Sequence, residues 1–109
     1  MTPTALRALA SRVETEEPTE ELRAAVLAAF GSEAEPGSEP DPLRSVDDAM
    51  LFNQPEWLST HRAGDEGVWM TGMYRTGGQS CRSKSGGLAR AWTAANLRAL
   101  AWEKEHADG

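Results

Sequence analysis

The sequence predicts an α+β fold in which a three-stranded antiparallel sheet is sandwiched by helices, in the order α-α-short α-β-β-β-α. Three observations carry this. Apolar residues recur every three or four positions up to Phe30 and again from Leu88 onward, as amphipathic helices require. Between them lie three short runs separated by glycine clusters, the punctuation of a β-meander. The middle run carries apolar residues on both faces, Val68, Met70 and Tyr74 on one and Trp69 and Met73 on the other, so a strand there calls for cover on two sides.

Each element has its own signals. Thr2 followed by Pro3 reads as an N-cap with proline in the first helical turn, and Leu6, Leu9 and Val13 form a stripe behind it. The stretch Glu14 to Pro18 breaks this helix. Pro18 then opens a second helix with Glu20 and Glu21 in its first turn, a stripe of Leu22, Val26, Ala29 and Phe30, and Gly31 as its natural end. Ser45 caps a short third helix through Asp47, Asp48, Ala49 and Met50, which Pro55 closes off. The strands are expected at Trp57 to Arg62, Val68 to Arg75 and Gln79 to Lys84, with the AGDEG loop and Gly77–Gly78 as turns. Ser83 or Ser85 caps a last helix from Leu88 to about Glu105, whose stripe is Leu88, Ala91, Trp92, Ala95, Ala99 and Trp102.

Composition bounds the molecule. At 109 residues and 39% hydrophobic, with 17 of the hydrophobic residues alanine, the chain is expected to be one domain over 1–109 with a small core. No run is apolar enough to span a membrane and the first residues lack a secretory pattern, which leads to the expectation of a soluble, cytoplasmic protein. One cysteine makes no internal disulfide. Nine Arg against two Lys, with no Ile, reads as coding bias toward GC-rich codons rather than a basic signal.

The net charge of −6 lies entirely in residues 1–42, while 43–109 is neutral and its stretch 75–102 contains no acid. The segment 32–42, SEAEPGSEPDP, is expected to be a flexible acidic linker, since it has no large apolar side chain to offset ordering. Its Glu33, Glu35, Glu39 and Asp41 are candidates for contact with a partner by imitating nucleic-acid charge. Arg82, Lys84, Ser85 and Gly86 place cations and free backbone N–H groups ahead of the last helix, a candidate anion site, with an ordinary strand-to-helix turn as the competing reading. Leu97 and Leu100 sit off the main stripe of that helix and are expected to form an association surface, for a partner or a second copy of the chain.

Catalytic and metal chemistry find little footing. His61 and His106 have no companions at ligand spacing. His61, read as a surface strand residue, and Cys81 lack an orienting third group for nucleophilic catalysis. Asp47 and Asp48 are adjacent, so on a helix they diverge by roughly 100° and serve better as first-turn acids. At least three of the four tryptophans are expected in the core. No cofactor is expected.

The segments LRALASRVETEEPTEELRAAVLAAFG (6–31), SVDDAMLFNQPEWL (45–58) and GGLARAWTAANLRALA (86–101) together resemble the small bacteriophage and prophage proteins of the phage ABA sandwich type, in that family's order. The chain departs from the pattern in its acidic linker and its basic, cysteine-containing third strand. The resemblance implies a helix–sheet–helix sandwich and a viral setting in a bacterial host; since the family has no assigned activity, no site residue carries over. Together with the missing catalytic set, it leads to the expectation of a non-enzymatic phage accessory protein acting by protein contact in the host cytoplasm. The inhibitor of a host defence complex such as a CRISPR effector is the specific form expected. Two alternatives stay open: a nucleic-acid-binding domain that uses the basic 82–90 turn and helix, and a virion assembly component.

Overall fold

The computed structural model describes residues 1–32, 37–75 and 77–107. Four helices, α1 (Pro3–Thr15), α2 (Glu20–Ala29), α3 (Val46–Met50) and α4 (Leu88–Glu105), accompany three strands, β1 (Trp57–Ala63), β2 (Trp69–Arg75) and β3 (Ser80–Ser85), in the predicted order. The sheet is antiparallel with β2 in the middle.

Helix starts follow the side-chain chemistry. Thr2, Thr19 and Ser45 each accept a backbone N–H of the following turn, which satisfies one of the donors a helix start leaves free. The second helix therefore starts one residue after Thr19 rather than at Pro18. It ends at Gly31, whose φ of +69° suits a residue without Cβ, while the Ser32 N–H reaches back to the Leu27 carbonyl. The expected serine cap of α4 is not made: Gly87 takes the N-cap position, and Ser83 and Ser85 belong to β3.

The layer order differs from the expected sandwich. α4, rather than the sheet, is the central layer. Its Ala95, Ala99 and Trp92 pack on Met73 and Trp57 of the sheet and on Ala49 of α3. Its opposite side, through Ala94, Leu97 and Ala101, packs on Leu6, Leu9, Ala10 and Val13 of α1 and on Leu22 and Val26 of α2. A helix flanked on both sides needs small residues to let neighbours approach, and α4 is lined with buried alanines accordingly. The layers thus run sheet, α4, α1 with α2, and among the described residues the sheet has helices on one face only.

Leu97 and Leu100 are therefore not an association surface. Leu97 is fully buried and Leu100 half-buried against the same cluster, because the second apolar side of α4 belongs to the α1–α2 layer. Trp57 and Trp92 are buried and Trp102 packs against their cluster, so three tryptophans are core as expected. Among the described residues, no helix is long and apolar enough to cross a membrane.

Candidate binding surface

With α4 against one side of the sheet, the alternation of strand residues fixes what the other side presents. Three cross-strand rows make up the uncovered face: Leu58–Tyr74–Ser80, Thr60–Gly72–Arg82 and Arg62–Met70–Lys84. Leu58 is 77%, Tyr74 41% and Met70 37% exposed, and Thr60, Arg62, Arg82 and Lys84 are exposed as well. None of these nine positions is acidic.

Gly72 at the centre has a specific reason to lack a side chain. A Cβ there would lie 2.8 Å from the Tyr74 hydroxyl and 3.1 Å from the ring carbons beside it, so the phenol end of Tyr74 lies over Gly72. Around this point the face is concave, with a volume of about 500 Å³ bounded by Arg62, Met70, Tyr74, Arg82 and Lys84.

The cations of the chain are sorted between this face and the rest of the fold. Arg7, Arg12, Arg23, Arg44, Arg75 and Arg98 each pair with a carboxylate. Arg90 donates to the carbonyls of Val13, Glu14 and Glu16 at the end of α1, and the Lys104 ammonium reaches the Met1 carbonyl. Among the described residues, only Arg62, Arg82 and Lys84 have no ion pair and no side-chain hydrogen bond, and all three stand on the open face. The acid-free stretch 75–102 thus resolves into three structural arginines, Arg75, Arg90 and Arg98, and two surface cations.

Glu14 forms the wall where β3 meets α1. Its Oε1 lies 2.6 Å from an Arg98 guanidinium nitrogen, and its Oε2 accepts the Lys84 backbone N–H at 2.8 Å. Burial pushes this carboxyl up, but the hydrogen bonds from Arg98 and from the Lys84 backbone outweigh burial and hold it below the ordinary carboxylate range. Glu14 is thereby committed to clamping α1 on the sheet edge.

The anion site expected from Arg82, Lys84, Ser85 and Gly86 is divided: Lys84, Ser85 and Gly86 line one shallow hollow, which they share with the Glu14 carboxylate, and Arg82 stands apart from it. Ser85 points to the helix side of β3, where its hydroxyl donates to the Glu14 carbonyl, whereas Arg82 and Lys84 point to the open side. Those two cations join Arg62 of β1 instead, a residue that sequence reasoning missed along with Met70, Gly72 and Tyr74. The only sequence signal for the grouping is parity, since Arg62, Arg82 and Lys84 share one face once the register is known.

The acidic segment divides as well. Glu33 and Glu35 lie outside the described residues. Glu39 accepts the Gly37 N–H, and Asp41 pairs with Arg44 and accepts the Leu43 N–H. Pro42 is buried, its carbonyl accepting from Thr93 of α4, so the backbone at this end of the segment is tied to the fold, while the Glu39 side chain stays exposed. The proposed imitation of nucleic acid loses Asp41 to this network.

His61 lies on the helix side of the sheet, not on the surface. Its ring rests against Trp92 with centroids 3.9 Å apart, Nδ1 is 3.0 Å from the Thr71 hydroxyl, and Nε2 is buried with no partner among the described residues. Burial holds its pKa below the usual imidazole value. Cys81 is two strands away, its sulfur against the Ala95 carbonyl at 3.7 Å, and burial pushes its thiol up to about 11, which keeps it protonated at neutral pH. Among the described residues, no three His, Cys, Asp or Glu side chains gather as a metal site would require.

No family model, curated protein or solved structure matches the chain.

Proposed function

We propose that this chain is a non-catalytic binding module that acts through the open face of its sheet. The observation that carries the reading is the sorting of cations: those without partners among the described residues are collected on one uncovered face together with Leu58, Met70 and Tyr74. A contiguous exposed apolar patch rimmed by polar residues marks an interaction site. In the setting that its residue patterns resemble, the module is a phage accessory protein that engages a host defence complex in the bacterial cytoplasm, a CRISPR effector being the specific case. Its role there is occupation of a surface and not turnover.

The test is affinity capture from a bacterial lysate with tagged protein in three forms: wild type, Leu58→Asp with Tyr74→Ala, and Glu39→Gln with Asp41→Asn. Because both residues of the first variant are exposed, it should melt near the wild type while losing the captured partner. The second variant should retain it. A partner lost by the acidic-segment variant and kept by the face variant would move the contact surface off the sheet and overturn the reading.

A further inference from the structure

We infer that the open face takes a single strand of nucleic acid, with phosphates on Arg62, Arg82 and Lys84 and a base against the Tyr74 ring. This rests on the reading that the open face is the contact surface, and adds the chemistry of its occupant.

Charge complementarity comes first. The chain carries −6 overall, yet the nine outward positions of this face carry three cations and no acid, and the one carboxylate at the rim of the hollow, Glu14, is paired with Arg98, so the face favours a polyanion. A second copy docked face to face would oppose three cations to three, which excludes self-association through this surface. Geometry then narrows the polyanion. Arg62 and Lys84 flank Met70 on the two outer strands, about 10 Å apart at two strand spacings, and Arg82 precedes Lys84 by two residues, about 7 Å along β3. A surface three strands wide is too broad for a duplex major groove, which admits a helix or a two-stranded ribbon. A flexible single strand has no such limit.

The apolar part distinguishes a nucleic acid from an acidic peptide. Single-strand platforms combine a cationic track with aromatic side chains on which bases stack, since every base has a π-face. Tyr74 supplies the ring, and Met70 and Leu58 continue the apolar surface on either side of it. The hollow of about 500 Å³ around Gly72 lies within the range of small-ligand sites, roughly 300 to 1,000 Å³, enough for a nucleoside unit. Gly72 keeps its floor low and gives the phenol end of Tyr74 its place.

The experiment is fluorescence anisotropy of the full chain with labelled single-stranded DNA and RNA of about 12 nucleotides, the same sequence as a duplex, and a labelled polyglutamate peptide. The expected result is saturable, salt-sensitive binding of a single strand at low salt. Arg82→Ala with Lys84→Ala should flatten the salt dependence by about 1.4 in log–log slope, at about 0.7 per phosphate contact. Tyr74→Ala should weaken binding about tenfold or more, and Tyr74→Phe should restore it. If polyglutamate or the duplex binds at the same face and single strands do not, the face remains a contact surface and the single-strand occupant is overturned. Single-strand binding that ignores Tyr74 and the three cations overturns it too, because the strand then sits elsewhere. If no probe binds, the inference falls, and the lysate capture decides separately whether the face binds something else.

Discussion

Gly72 and Tyr74 act as one unit, because the space a Cβ would fill already holds the phenol end of Tyr74. Gly72→Ala should keep or raise the melting temperature, since alanine in a strand interior is favoured over glycine by about 0.5–1 kcal/mol and only a flexible side-chain end must yield. The same change displaces Tyr74, so strand binding should fall; titration beside thermal melting reads both, and a variant that loses stability but binds normally would refute the pairing. His61 offers a second test at this scale. Its folded pKa lies below the ordinary imidazole value of 6.5, so it stays neutral between the sheet and Trp92 while an unfolded chain takes up a proton. Its share of stability is complete above about pH 6.5 and is lost as pH falls from there through the lower folded value. Denaturant unfolding across this window should show a mild-acid loss that His61→Gln removes. An identical pH profile for the variant would mean that His61 does not titrate with unfolding.

Among the elements, α1 is fastened to β3 and α4 by the Glu14–Arg98 pair, which is mostly shielded from water. Arg98→Ala leaves that carboxylate short of its cation and should cost about 2 kcal/mol, in the range for hydrogen bonds to charged groups. Since the Glu14 carboxyl titrates below its ordinary value of 4.5, this contribution is full above that pH and lost as pH falls through the folded value. Chemical denaturation of Arg98→Ala at neutral pH and below 4.5 should therefore show a difference from wild type that shrinks in acid. A constant difference would indicate a packing effect alone. The elements themselves were legible in the sequence: Thr2 and Ser45 marked the starts of α1 and α3, Pro18 lay two residues ahead of α2, and glycine clusters marked the strand turns. Their layering was not. Both β2 and α4 show two apolar sides, and sequence alone does not say which of them lies in the middle; the small side chains of α4 are what let it, and the leucines beyond its main stripe then serve α1 and α2. Ser83 and Ser85 looked like caps because hydroxyls ahead of a helix usually are, yet β3 runs through both. Arg82 and Lys84 stood out through the absence of nearby acids, whereas Arg62 joins them only through a register set by two turns.

At the level of the whole molecule, the fold separates its charges. Among the described residues, the acids of the first 42 positions lie on or beside α1 and α2 and in the segment leading to α3, while the unpaired cations collect on the sheet's outer face. A protein of net −6 thus keeps a local surface attractive to a polyanion, and its binding should weaken steeply with salt because that attraction acts over about a Debye length, ~10 Å at 0.1 M. Tyr74 is the one tyrosine in the chain and its phenol end lies over Gly72 at the centre of that surface, so its ring protons are a direct reporter. The decisive measurement is NMR of tyrosine-labelled protein titrated with a short single strand. The account predicts that the ring signals move upfield and saturate together with the backbone signals of β2 and β3, as a base comes to lie against the ring. Tyr74 signals that stay fixed while the strand saturates the protein, with the shifts gathered in α1, α2 or residues 37–48, would contradict it.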